Sequence, residues 1–173
     1  MNDEAVRGYI SRESHYFLGR RYLLNVIYHD GPGGVSINGK PSIDLFVPNR
    51  ASRTKRERIL HQWYRKELKA LIPPLVSKWE RITGLHVVAW GVKKMKPRWG
   101  SCNQKARRIW INLELAKKPL QCLEYLIVHE MVHLLERRHD DKFVAHMDKL
   151  LPQWRSLRDL LNRFPLRHEK WGY

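Results

Sequence analysis

The run His129-Glu130-Met131-Val132-His133 constrains this chain more than any other feature of its 173 residues. Histidines four apart on a helix stand on one face, roughly one turn above each other. Both imidazoles can therefore reach a single metal ion without bending the backbone. Glu130 is offset by about 100° around the axis. It need not be a ligand, and can instead take a proton from a metal-activated water. His139 follows in sequence and can swing back as a third ligand if the helix ends after His133. Three protein ligands and one open position describe a catalytic zinc site, whereas a structural site fills all four.

The neighbours of the motif decide how it should be weighed. Leu123, Tyr125, Leu126, Ile127, Val128, Met131, Val132, Leu134 and Leu135 are apolar nearly all round the helix, which predicts a buried element. Two histidines and a glutamate at the centre of a buried helix are costly unless they are paired or bind metal. The expectation is one Zn2+ per chain on His129, His133 and His139, with Glu130 as the catalytic base.

Length and composition set the outer limits. A chain of 173 residues fits one domain, here 1–173, that buries about two-thirds of its surface. No run of apolar residues is long enough to span a membrane. The start, Met1-Asn2-Asp3-Glu4, lacks the basic and apolar segments of a signal peptide. Cys102 and Cys122 are the only cysteines, so no disulfide framework is expected. A cytoplasmic protein without a membrane partner is the expectation.

The net charge of +16 is unevenly spread, with 13 Lys and Arg against 3 Glu in residues 51–100. Arg53, Lys55, Arg56 and Arg58 open that segment, and Lys93, Lys94, Lys96 and Arg98 close it. Such an excess favours polyanions, nucleic acid or nucleotides among them. A merely soluble basic surface is the plainer alternative.

Along the chain, Tyr16 to Tyr28 reads as one or two strands around Gly19. The turn Gly31-Pro32-Gly33-Gly34 follows, then short strands near Val35–Ile37 and Ile43–Val47. Residues 52–83 read as a long basic helix with an apolar stripe of Ile59, Trp63, Leu68, Leu71 and Leu75, which Pro73-Pro74 should kink or divide. Thr83-Gly84 ends it, and His86–Val92 and Arg107–Leu113 read as strands. Pro119 sits where a first helical residue is expected, opening the motif helix. Asp140-Asp141 can cap a helix through Leu150, and Pro152 starts a last one through Phe164.

A second signal is Lys96-Pro97-Arg98-Trp99-Gly100-Ser101-Cys102-Asn103, by itself a loop with a glycine turn between two strands. Combined with the histidine motif it is more telling. Phe17-Leu18-Gly19-Arg20, the basic helix around Trp63-Tyr64, Arg98 to Cys102, Ile111-Asn112-Leu113 with Leu115 and Pro119, then His129, Glu130, His133, His139, Phe143, Pro152 and Trp154 form one pattern. In it the chain resembles the YgjP-like zinc metallopeptidases, relatives of the SprT-like and Wss/Spartan-type proteases, from about residue 15 to 160. The resemblance implies a gluzincin-like α+β fold. An N-terminal β-rich part, a long basic helix and a small sheet would precede the active-site helix and C-terminal helices. It also implies zinc on His129, His133 and His139, with Glu130 as general base. The sequence departs from the pattern at Val144, where relatives commonly carry an aromatic residue. Metzincins share the spacing to His139, but Glu136 replaces the glycine of their turn.

Beside the metal, the backbone N–H groups from Arg98 to Asn103, or Arg98 itself, could stabilise an oxyanion. The plainer alternative is packing: Trp99 in the core, Gly100 in the turn, Cys102 as a small buried hydrophobe, with Ser101 between them. Packing with some shaping of the site is favoured. The remaining histidines, His15, His29, His61, His86, His146 and His168, are given no ligand role. Three functions stay open. The first is a zinc peptidase with a peptide or protein substrate. The second is a metal-dependent hydrolase of nucleotide phosphoanhydrides, and the third a nucleic-acid-binding module with a non-catalytic zinc site.

Overall fold

The computed structural model describes residues 7–39 and 41–163. Phe164 and His168 lie outside the described residues. Two small sheets and four α-helices make a mixed α+β fold. The first sheet contains β1 (Ser14–Phe17), β2 (Arg20–His29), β3 (Gly34–Ser36) and β4 (Ser42–Pro48), in the order β1-β2-β4-β3. β1 and β2 form an antiparallel hairpin in which Phe17 faces Arg20. Its two loop residues, Leu18 and Gly19, both take positive φ (47° and 81°), as a tight hairpin loop requires. The tip is docked. Leu18 N donates to Ala116 O and Gly19 N to Lys117 O, at 2.8 and 3.0 Å. A Cβ on Gly19 would lie 2.8 Å from Cγ of Pro119, so the hairpin presses on the segment that starts the motif helix.

Helix α1 (Arg53–Thr83) is capped by Ser52, whose side chain accepts from Lys55 N. It is one helix through Pro73 and Pro74, so of the kink or division expected there, the division does not occur. Each proline removes a hydrogen bond to the carbonyl four residues earlier. Here those carbonyls belong to Lys69 and Ala70, on the same exposed side of the helix, where water can replace the lost partner. The buried stripe is Leu60, Tyr64, Leu68, Ile72, Val76 and Trp79, with Ile59. Trp63, Leu71 and Leu75 are only partly buried, so the inward face is rotated by about one residue from the expected one.

The second sheet has the order β5-β7-β6, from β5 (Ala89–Lys93), β6 (Gly100–Asn103) and β7 (Arg108–Asn112). β6 corrects the sequence-based expectation: Gly100 to Asn103 is a strand antiparallel to β7, not a loop. A 3₁₀ turn (Leu113–Lys117) leads to α2 (Leu120–Val132), where Pro119 is the cap residue preceding the first helical one. α3 (Asp141–Leu150) and α4 (Trp154–Arg163) follow. α2 is buried along most of its length, packed against α1, α3, α4 and the second sheet in one continuous apolar cluster. Each large side chain fully buried there contributes roughly 1.5–3 kcal/mol. Among the described residues, no helix is long and apolar enough to cross a membrane.

Candidate active site

The C-terminal end of α2 brings the motif residues together. His129 and Glu130 are buried, His133 closes the helix as its last cap residue, and His139 is exposed. After His133 the chain tightens through bonds from Leu134 N to Met131 O and from Glu136 N to Val132 O. That turn brings His139 back over the helix end. His139 Nε2 lies 3.0 Å from His133 Nε2 and 3.1 Å from His129 Nε2. Among the described residues, these three make the one group of His, Cys, Asp or Glu able to hold a metal ion.

The donor set fits zinc. Nitrogens about 2.0–2.1 Å from a tetrahedral ion lie roughly 3.3 Å apart, close to the separations found. The other ring nitrogens turn outward to protein acceptors. His133 Nδ1 is 2.9 Å from the backbone carbonyl of Glu136, and His129 Nδ1 is 3.3 Å from the hydroxyl of Tyr125. A carbonyl partner requires Nδ1 to carry the hydrogen, which leaves the Nε2 lone pair directed at the shared point. Burial holds all three histidines below the usual imidazole pKa. At His129 the neighbouring His133 and His139 push the same way, and at His133 the Glu136 carbonyl opposes. Neutral imidazole is the form that binds metal.

Phe143 supports the cluster from α3. Its ring centroid is 4.9 Å from that of His129, 4.8 Å from His133 and 4.9 Å from His139. Asp140 caps α3 by accepting from Phe143 N at 3.1 Å, so the cap fixes the residue that braces the histidines. Of the carboxylates near the motif, Asp140 is thus used in capping. Glu136 acts on His133 through its carbonyl, and its side chain faces His146. Tyr125 was counted in the sequence only as an apolar helix residue. Its place one turn before His129 was the available signal.

Glu130, His133 and His139 open onto a cleft of about 650 Å3. Ser101 and Cys102 line one wall, with Arg98 before them. The segment both packs and shapes the site. Trp99 is buried and donates from Nε1 to Asn162 Oδ1 at 3.1 Å, Gly100 is buried beneath Glu130, and Arg98 is exposed at the rim. Burial and the Glu130 charge push the Cys102 thiol up to about 11, so it stays protonated and is no nucleophile.

The pattern of the family described as YgjP-like, metallopeptidase domain, matches residues 1–164. The chain belongs to that family. No curated protein matches it. Among solved structures it is similar to the metallopeptidase zymogen of Pyrococcus abyssi abylysin. The TM-score is 0.50 and the identity 17%, over 56% of this chain and 97% of that one. That likeness is one of fold. Family membership makes the protein a zinc metallohydrolase of the peptidase kind.

The basic segment divides. Arg56 donates to the carbonyls of Gly8, Tyr9 and Ala51, and Arg53 to that of Arg7 and to Glu57, so both tie the first described residues to α1. Both guanidiniums are thus engaged within the chain. Lys93 lies over the Trp110 ring, while Lys55, Arg58, Lys94 and Lys96 are exposed.

Proposed function

We propose that the chain hydrolyses peptide bonds at this cleft, with a zinc ion held by His129, His133 and His139 and with Glu130 as general base. The observation that carries the reading is the placement of β6. It is an edge strand, packed beside α2, and its far side pairs with no other strand among the described residues. An extended peptide can add to such an edge through main-chain hydrogen bonds, and alternate side chains then face the cleft. A zinc ion held by these histidines would supply Lewis acidity to the scissile carbonyl and to a water molecule. Glu130 lies at the floor, where its carboxylate accepts the water's proton and returns it to the leaving amine. The bond from His133 to the Glu136 carbonyl keeps that ring in the ligand tautomer, and the Tyr125 hydroxyl orients the His129 ring. Arg98 stands at the rim, near enough to the cleft to assist a developing oxyanion.

Chain organisation fits one functional domain. Contact with nucleic acid would fall to Lys55, Arg58, Lys94 and Lys96. The deciding experiment compares the zinc-loaded protein with Glu130→Gln on unstructured peptides. The variant should keep its metal and lose hydrolysis by roughly a hundredfold or more. Hydrolysis undiminished in the variant would remove Glu130 as base.

A further inference from the structure

The rim of the cleft carries charge that no ion pair among the described residues neutralises. Arg98, Lys105 and Arg137 all line it, together with Glu130, His133 and His139, and all three are exposed. They come from three separate segments: the stretch before β6, the turn after β6, and the connection from α2 to α3. Among the described residues, the Lys and Arg ion pairs engage Arg53, Lys78, Lys117, Arg155 and Arg158, and none of these three. Among the described residues, the only carboxylate lining the cleft is Glu130, at its floor.

Their backbones are nevertheless fixed. Asn112 is fully buried and donates from Nδ2 to the carbonyls of Met95 and Arg98, at 2.9 and 2.8 Å. Gln104, beside Lys105, donates to Leu134 O at 3.1 Å and accepts from Arg137 Nε at 2.9 Å. One glutamine thus ties the turn carrying Lys105 to the segment carrying Arg137. Neutral hydrogen bonds hold the three cations around one opening, and among the described residues no carboxylate pairs with them. Fixed charges of one sign in a cleft concentrate ligands of the other.

We propose that the cleft selects acidic peptides, with Asp or Glu side chains flanking the scissile bond read by Arg98, Lys105 and Arg137. The proposal rests on the peptidase reading above. Arg98 and Lys105 bracket β6, one before its first residue and one after its last. A peptide laid along that edge meets a cation at each end of the paired stretch, and Arg137 faces it from the histidine side. Arginine matches carboxylate geometry with two parallel N–H bonds, which favours Asp and Glu over their amides.

The test uses the zinc-loaded protein and peptides that differ only by Glu, Gln or Lys at the positions flanking the cleavage site. Glu peptides should exceed Gln peptides in kcat/KM by roughly three- to tenfold, with Lys peptides lowest, and the gap should narrow as salt rises. In the double variant Lys105→Glu/Arg137→Glu the order of Glu and Lys peptides should reverse. Binding of the same peptides to Glu130→Gln protein, followed by fluorescence anisotropy, should rank them in the same order. Cleavage without preference, or a preference unchanged in the double variant, overturns the proposal and leaves the peptidase reading intact. If no peptide is cleaved but Glu130→Gln protein binds Glu over Lys peptides in a rim-dependent way, the selectivity stands and the peptidase reading falls. Hydrolysis of a nucleoside triphosphate with no peptide cleaved or bound would assign these cations to phosphate and overturn both.

Discussion

The carboxylate of Glu130 lies directly over the α-carbon of Gly100: a Cβ there would come within 3.1 Å of Glu130 Oε1, 2.9 Å of the Trp110 carbonyl and 3.0 Å of Leu126 Cδ2. The nearest of these is backbone on β7, so β6 itself must shift to admit a methyl group. Gly100→Ala should therefore displace β6 relative to Glu130 while leaving the histidines in place. The expected outcome is a fall in kcat of roughly tenfold or more at unchanged zinc content, since small misplacements of a catalytic group are costly. Steady-state kinetics with metal analysis checks it. Full activity in the variant would mean that Glu130 is not held by this contact.

Tyr125 and His129 give a prediction about affinity. Tyr125→Phe removes the hydroxyl that meets His129 Nδ1 and changes little else in a buried position. Loss of such an outer partner typically weakens metal binding by about ten- to a hundredfold. The bond is long at 3.3 Å, so the lower end is expected. Competition with a chelator of known affinity measures it, and equal affinities would assign the tyrosine to packing alone.

Stability should fall in mild acid. Burial lowers His15 to about 4, outweighing its 2.6 Å contact with Glu13, and Arg7 adds to the effect. His61 is likewise lowered to about 4, first by burial and then by Lys94 and Lys117. Unfolded histidine takes its proton near 6.5. Between about pH 6.5 and 4 the unfolded chain binds more protons, so stability rises with pH there, with a limiting slope of about 1.4 kcal/mol per pH unit for each group. Below both values the slope vanishes. Urea midpoints from pH 7 to 4.5 should decline, and His61→Gln should make the decline shallower. An unchanged slope in that variant would contradict the burial account of His61.

Much of this was legible in the sequence where one pattern dominates locally. The bounds of α1 and α3 follow from Ser52 and Asp140 as caps, and α2 from its all-round apolar character. β6 was not legible, because Gly-Ser-Cys-Asn holds no β-branched or aromatic residue. Its extended form comes from pairing with β7. The α1 stripe was misplaced because Trp63 and Leu71 are as apolar as Leu60 and Ile72, and only tertiary contact tells them apart. Charge was countable at Arg53 and Arg56, but the carbonyls they serve are distant in sequence.

That last point yields a prediction for the basic segment. Lys55→Glu/Arg58→Glu changes exposed charge only, whereas Arg53→Glu/Arg56→Glu should cost about 1–3 kcal/mol by freeing residues 7–9 from α1. Thermal unfolding separates the two pairs. If the segment also contacts polyanions, the first pair should reduce the salt dependence of DNA binding. Equal melting temperatures for both pairs would contradict the structural role of Arg53 and Arg56.

The most direct measurement is zinc stoichiometry, after dialysis, of the parent protein, Glu130→Gln and His133→Ala. The account predicts one zinc per chain in the first two, because three imidazoles converge on one point without help from Glu130. It predicts loss of tight zinc in His133→Ala, with the fold retained. Full zinc in His133→Ala, or none in the parent, would contradict the assignment of the site.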